Sequence, residues 1–317
     1  MRESATATAP IYPNIEPYDR RSVDVGDGHH LYVEQSGNPN GIPVLTLHGG
    51  PGAGATALMR RFFDPKHYRV VLFDQRGAGR SRPNGSIKAN TTQHLIQDIE
   101  TIRAEVGLPP AIVFGGSWGA TLALAYAQAH PEAVRHLVLR GTFLGTQREI
   151  EWLYHGGAGK FFPQDFARFL SPVAGADDPV KAYHPILAGD GAEARKAASL
   201  WVGWESRTAS LTARTSLATE SDHILSFARI ENHYFVNDCF LSESQLVHDL
   251  PKIAHIPTDL VHGRYDMVCP PVASEILMQG MEKAQLHMIE DAGHTMTEPG
   301  IANKLTEVMN RLRSVYR

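Results

Sequence analysis

A serine hydroxyl, an imidazole and a carboxylate together can transfer acyl groups, and this chain carries them in a suggestive order. Ser117 stands in Gly115-Gly116-Ser117-Trp118-Gly119, directly after the apolar run Ala111 to Phe114 and before the Ala- and Leu-rich stretch Trp118 to Ala129. A strand, a tight turn and a helix in that succession hold a serine in a sharp, exposed bend. The motif alone is modest evidence: with 28 glycines in 317 residues, a chance match is expected in roughly one chain in ten. The setting carries the argument.

A serine hydroxyl is a weak nucleophile near neutral pH and needs a base, usually an imidazole oriented by a carboxylate. In elbow enzymes the chain order is Ser, acid, His. Asp266 follows the apolar run Thr258 to Val261, and His294 follows the next one, Leu286 to Ile289, so both fall on loops at strand carboxyl ends. His287 lies within a strand pattern and His262 precedes the loop of Asp266, so neither has this placement. Asp259 and Asp291 stay open as alternative acids.

Acyl transfer also needs N–H donors for the developing oxyanion, commonly the residue after the nucleophile and one from a Gly-rich loop after an early strand. Trp118 and Gly50 fill those positions, Gly50 within His48-Gly49-Gly50-Pro51-Gly52. The same loop reads on as Gly50-Pro51-Gly52-Ala53-Gly54-Ala55, a dinucleotide-type pattern with Asp74 roughly 20 residues on. Pro51 removes a backbone donor from that loop, and an oxidoreductase leaves Ser117, Asp266 and His294 unexplained. A scaffold without catalysis is the other class to weigh, but all three positions are filled.

The positioning elements follow from the hydrophobic pattern. Val44 to Leu47, Arg69 to Phe73, Ala111 to Phe114 and His136 to Leu139 read as buried parallel strands. Thr91 to Val106 and Trp118 to Ala129 read as the helices between them. After Phe143 aromatic and charged residues mix at helical spacing. The alternation resumes at Thr258, with a helix around Ala273 to Gln279 and a closing helix from about Ala302 to Leu312. The expected architecture is α/β: a mostly parallel sheet flanked by helices, with a core of residues 1–143 and 251–317 and a helical cap over 144–250.

Bulk properties narrow the partners. Thirty Lys and Arg against 34 Asp and Glu give a net charge of -4, with no basic block to follow a phosphate backbone, so nucleic acid is not expected. The stretch from Met1 to Ile11 places an acid early and builds no apolar leader. No apolar run approaches membrane-spanning length. Two cysteines, Cys239 and Cys269, are too few for a disulfide framework and fit a reducing cytoplasm, though one bridge between them stays open. The 16 histidines lack zinc-site spacing relative to the cysteines, and no metal or cofactor is expected. Oligomeric state is not legible.

The ensemble of motifs resembles the proline iminopeptidases of the α/β-hydrolase superfamily. It comprises the loop at His48 to Gly52, Asp74-Gln75-Arg76-Gly77, the elbow at Ser117, His130-Pro131-Glu132 and Leu139-Arg140-Gly141. Trp201 with Trp204-Glu205, Arg229 to Phe235, and His262 to Asp266 complete it. The resemblance implies a serine peptidase that removes N-terminal proline from peptides with a free amine. It further implies cap carboxylates, matched by Glu205 and Glu231, that hold that amine. The ring pocket maps onto Phe143 and Phe235, with Cys269 near Asp266. Trp152-Leu153-Tyr154 departs from the family's Trp-aromatic-Tyr, which bears on strictness for proline. A broader aminopeptidase and a carboxylesterase are the alternatives, because the same triad serves amides and esters.

Overall fold

The computed structural model describes residues 11–212 and 221–316. The first ten residues, on which much of the reading against a leader rests, lie outside them. Eight strands form one sheet: β1 (Asp19–Asp24), β2 (His30–Gly37), β3 (Ile42–Leu47), β4 (Tyr68–Phe73), β5 (Ala111–Ser117), β6 (Val134–Thr142), β7 (Thr258–Gly263) and β8 (Ala284–Ile289). Their order is β1-β2-β4-β3-β5-β6-β7-β8, parallel from β4 through β8 and antiparallel at the β1–β2 and β2–β4 pairings.

The parallel strands are the apolar runs expected from sequence, and successive residues point to opposite faces. Leu45, Val71, Val113 and Leu137 pack with Leu95 and Ile99 of α1 (Thr92–Val106) and with α2 (Trp118–Ala129). Val44, Val70, Ile112, Phe114 and Val138 pack on the other face. Burying each aliphatic side chain contributes about 1.5–3 kcal/mol, so a one-residue slip of register is strongly disfavoured.

Two strands escaped the sequence reading, which begins at Val44. β1 is an edge strand that buries only Val23, and charge on an edge blocks further pairing. β2 buries Glu34, Gln35 and Ser36, residues that break an apolar run. Their burial is made tolerable by distant partners: Arg60 donates to both oxygens of Glu34 at 2.6 and 2.9 Å.

Between β6 and β7 the described chain is helical: α3 (Gln147–Tyr154), α4 (Pro163–Leu170), α5 (Pro179–Leu187), α6 (Ala192–Thr208), α7 (Asp222–Val236) and the short α8 (Gln245–His248). The capping box of Thr146 and Glu149 starts α3. Aromatic rings fill this layer, with Tyr154 stacked on Trp201 at 4.5 Å and Phe169 on Tyr183 at 5.1 Å. α9 (Val272–Gly280) follows β7, and α10 (Pro299–Val315) closes the chain, laying Ile301, Leu305 and Leu312 on the second sheet face. Among the described residues no helix is long and apolar enough to cross a membrane. Both cysteines are free and buried.

Candidate active site

Ser117 sits where β5 becomes α2, with φ 59° and ψ −128°, a conformation that costs an L-residue roughly 1–3 kcal/mol. Close packing holds the bend. A Cβ on Gly115 would lie 2.2 Å from the Gly119 carbonyl oxygen, and one on Gly119 would lie 2.2 Å from that of Leu47. Only glycine lets α2 descend so near β3 and β5.

Asp266 and His294 leave the carboxyl ends of β7 and β8, on the same edge of the sheet as Ser117. Asp266 Oδ2 lies 2.6 Å from His294 Nδ1. The other oxygen accepts the N–H groups of Val268 at 3.0 Å and Cys269 at 2.8 Å. Burial alone would raise this carboxyl's pKa, but the imidazoles of His294 and His262 reverse that and hold it well below the usual range. An ionised carboxylate only accepts, so His294 Nδ1 carries the donated proton and Nε2 is free to act as base.

His294 is itself seated on all sides. Its N–H donates to the Ala209 carbonyl at 2.8 Å, and its carbonyl accepts from Arg140 Nη1 at 2.8 Å. A Cβ on Gly141 would stand 2.9 Å from the ring. Burial lowers the imidazole's pKa, Asp266 opposes that, and the Arg140 cation lowers it further; the net shift is downward from 6.5. The ring is therefore unprotonated near neutral pH.

The two alternative acids are elsewhere. Asp259, near the amino end of β7, is engaged by His136 at 2.8 Å, His287 at 2.7 Å and Arg311 at 2.6 Å. Asp291 is exposed. His262, set aside on sequence grounds, reaches Asp266 at 3.3 Å while bonded to Ser274 and the Cys269 carbonyl. Strand ends converge in space, which sequence position does not reveal.

The loop of Gly50 is tied to the elbow through Gln75. This side chain donates to the His48 carbonyl and accepts from the Trp118 indole, both at 2.9 Å. Trp118 opens α2, so its backbone N–H is among the unpaired donors of a helix start. Asp74, which the dinucleotide pattern would assign to a ribose, instead binds the Ala55 N–H at 2.7 Å and Arg80 Nε at 2.7 Å.

Ser117, Gly50 and Glu205 line two cavities at once. The outer cleft also touches His294, Arg140, Phe227 and Met296. The inner pocket is bounded by Phe143, Leu153, Tyr154, Phe235, Glu231, Glu149, Val268 and Cys269. Phe143 and Phe235 meet edge to face at 6.0 Å. Tyr154 and Ile150 were missed as lining residues; with Leu153 they form the i, i+3, i+4 apolar face of α3, a periodicity that would have found them. Glu149 was missed too, because its pocket role is hidden behind its capping role.

Glu205 of α6 and Glu231 of α7 both line the inner pocket, where their carboxyls are close enough to act on one another. Burial raises both pKa values, and the mutual repulsion of the carboxylates adds to the shift of Glu231. Trp201 Nε1 donates to Glu231 Oε2 at 2.7 Å. Two buried carboxyls side by side repel one another when both are ionised, and a cation between them would relieve that repulsion. Among the described residues no group of three or more His, Cys, Asp or Glu could hold a metal ion.

Residues 42–300 match the model of the α/β-hydrolase fold. A proline iminopeptidase of Arabidopsis thaliana is 45% identical over 96% of this chain and 82% of its own length. One from Xylella fastidiosa is 47% identical over 91% of this chain and 95% of its own. In fold, the crystal structure of a proline iminopeptidase from Mycobacterium smegmatis covers 94% of this chain and 100% of its own, with TM-score 0.64 at 17% identity. On these grounds the chain, with its elbow serine and eight-stranded sheet, belongs to the proline iminopeptidase family of α/β-hydrolases.

Proposed function

We propose that this chain is a serine aminopeptidase that releases N-terminal proline from peptides through Ser117, His294 and Asp266. The observation that carries the reading is that Ser117 lines both a pocket walled by Glu205, Glu231 and aromatic side chains and a second, more open cleft beside His294. The inner pocket takes the first residue, its amine against Glu205 and Glu231 of the helical cap and its ring among Phe143, Phe235, Leu153 and the Cys269 thiol. The rest of the peptide leaves through the outer cleft.

In the reaction His294 Nε2 takes the Ser117 proton as Oγ attacks the first carbonyl. The N–H groups of Trp118 and Gly50 stabilise the oxyanion, and Asp266 holds the imidazolium. His294 then protonates the departing amine, and water activated by the same ring hydrolyses the prolyl ester. A proline ammonium has two N–H donors, matched by two carboxyls. The ammonium relieves the repulsion between the two carboxylates, so a blocked or acylated amine is rejected by the desolvation it leaves unbalanced.

The second reading, a broader aminopeptidase, is favoured by Leu153 on the wall of the inner pocket. A panel of proline, alanine and N-acetyl-proline p-nitroanilides with p-nitrophenyl acetate decides between them. Preference for free proline supports the proposal; equal turnover of alanine supports the broader reading. Turnover of the acetate alone leaves only an esterase.

A further inference from the structure

The helix that bears Glu205 is fastened to the loop that bears His294 by two acceptors outside the reacting groups. The first is the carbonyl of Ala209, just past the end of α6, which accepts from the N–H groups of His294 at 2.8 Å and Thr295 at 3.0 Å. Ala209 is one turn beyond Glu205 and donates its own N–H to the Glu205 carbonyl at 3.0 Å. The second is Glu298. One of its carboxylate oxygens accepts the N–H of Leu211 at 2.9 Å, and the other accepts that of Gly293, the residue before His294.

We propose that Glu298 is a positioning residue that, with the Ala209 carbonyl, fixes the spacing between Glu205 and His294. It thereby holds amine binding and proton transfer in one register. The inference rests on the reading of Glu205 as an amine-binding residue.

The physical case is one of reach and polarity. Glu205 and His294 come from segments nearly ninety positions apart, one on a helix and one on a loop, and loops keep a fixed geometry only when tied. A substrate anchored by its amine has its carbonyl placed by Glu205, while the base acting on that carbonyl is placed by the loop. An error of 1 Å between the two costs roughly a hundredfold in rate. Glu298 is suited to the task because both of its partners are N–H donors and a carboxylate presents an acceptor to each. Glutamine would set an NH2 group against one of them. Aspartate would fall a methylene short. An ester without an amine has no such anchor and settles wherever Ser117 and His294 are.

The test compares Glu298→Gln and Glu298→Asp with the unmodified protein on proline p-nitroanilide and p-nitrophenyl acetate, with melting temperatures recorded. The expected result is a fall in kcat of about tenfold or more on the anilide, with acetate turnover reduced by less than about threefold. In a Glu205→Gln background the Glu298→Gln change should cost little more on the anilide, because the register no longer serves an anchored amine. Equal losses on both substrates, or additive losses in the double variant, overturn the proposal and reduce Glu298 to a structural tie. If the unmodified protein leaves the anilide intact, the aminopeptidase reading falls instead, before any Glu298 variant is compared.

Discussion

The indole Nε1 of Trp201 donates a hydrogen bond of 2.7 Å to Oε2 of Glu231, one neutral donor set against two buried carboxyls. That donor does not offset the desolvation, and the Glu231 pKa stays well above its ordinary 4.5. The linkage has a definite sign. Above pH 4.5 the unfolded chain loses this proton while the folded chain keeps it, so stability falls as pH rises toward the folded pKa. Glu231→Gln keeps an acceptor for Trp201 and removes the titration. Its melting temperature should exceed that of the parent at pH 8, with the gain shrinking toward zero at pH 4. Parallel curves across that range would contradict it.

The same pair should read the substrate's amine. If the two carboxyls bind the amine as proposed, Glu205→Gln and Glu231→Gln each remove one of its anionic partners, and breaking such a pairing costs roughly 3–5 kcal/mol. Hydrolysis of proline p-nitroanilide should therefore drop by at least about a hundredfold, while p-nitrophenyl acetate, which carries no amine, changes little. Comparable losses on both substrates would mean that the carboxyls shape the pocket without binding the amine.

Ser117→Ala tests the nucleophile. Alanine occupies the same strained turn with one atom fewer, so the melting temperature should stay close to that of the parent. Turnover of the proline anilide should fall by at least about a thousandfold, and labelling by a fluorophosphonate should be lost. Retained labelling would point to another nucleophile.

The parts legible in the sequence are those set by local pattern. β3 to β7 are buried on both faces and read as apolar runs, Leu286 to Ile289 marks the more exposed β8, and the elbow and its two following loops fall at the ends of β5, β7 and β8. β1 and β2 were not legible, because β1 buries a single apolar side chain and the Glu34 carboxylate in β2 is neutralised by Arg60, a partner 26 residues away whose approach no local window contains. Arg140, His262 and Glu298 were missed as neighbours of the site for the same reason. Each reaches its partner across strand ends or between the cap and a core loop. Glu205 and Glu231 were reached through family motifs, since an isolated glutamate is most often a solvated residue.

Arg140 yields the prediction that separates seating from electrostatics at the base. Its Nη1 holds the His294 carbonyl at 2.8 Å, and its cation, after burial, is a further cause that lowers the His294 pKa below 6.5. Protonated His294 cannot take the Ser117 proton, so the acid limb of kcat/KM should lie below pH 6.5 in the parent. Arg140→Met removes both contributions. Its acid limb should move upward, and kcat/KM on the plateau should fall by about ten- to a hundredfold, the loss expected for one charge-assisted hydrogen bond of about 1.5–3 kcal/mol. Arg140→Lys retains a cation but not the reach of the guanidinium. It should share the plateau loss while keeping the limb near its parent position. If both variants shift the limb alike, the charge of Arg140 is not what tunes the imidazole.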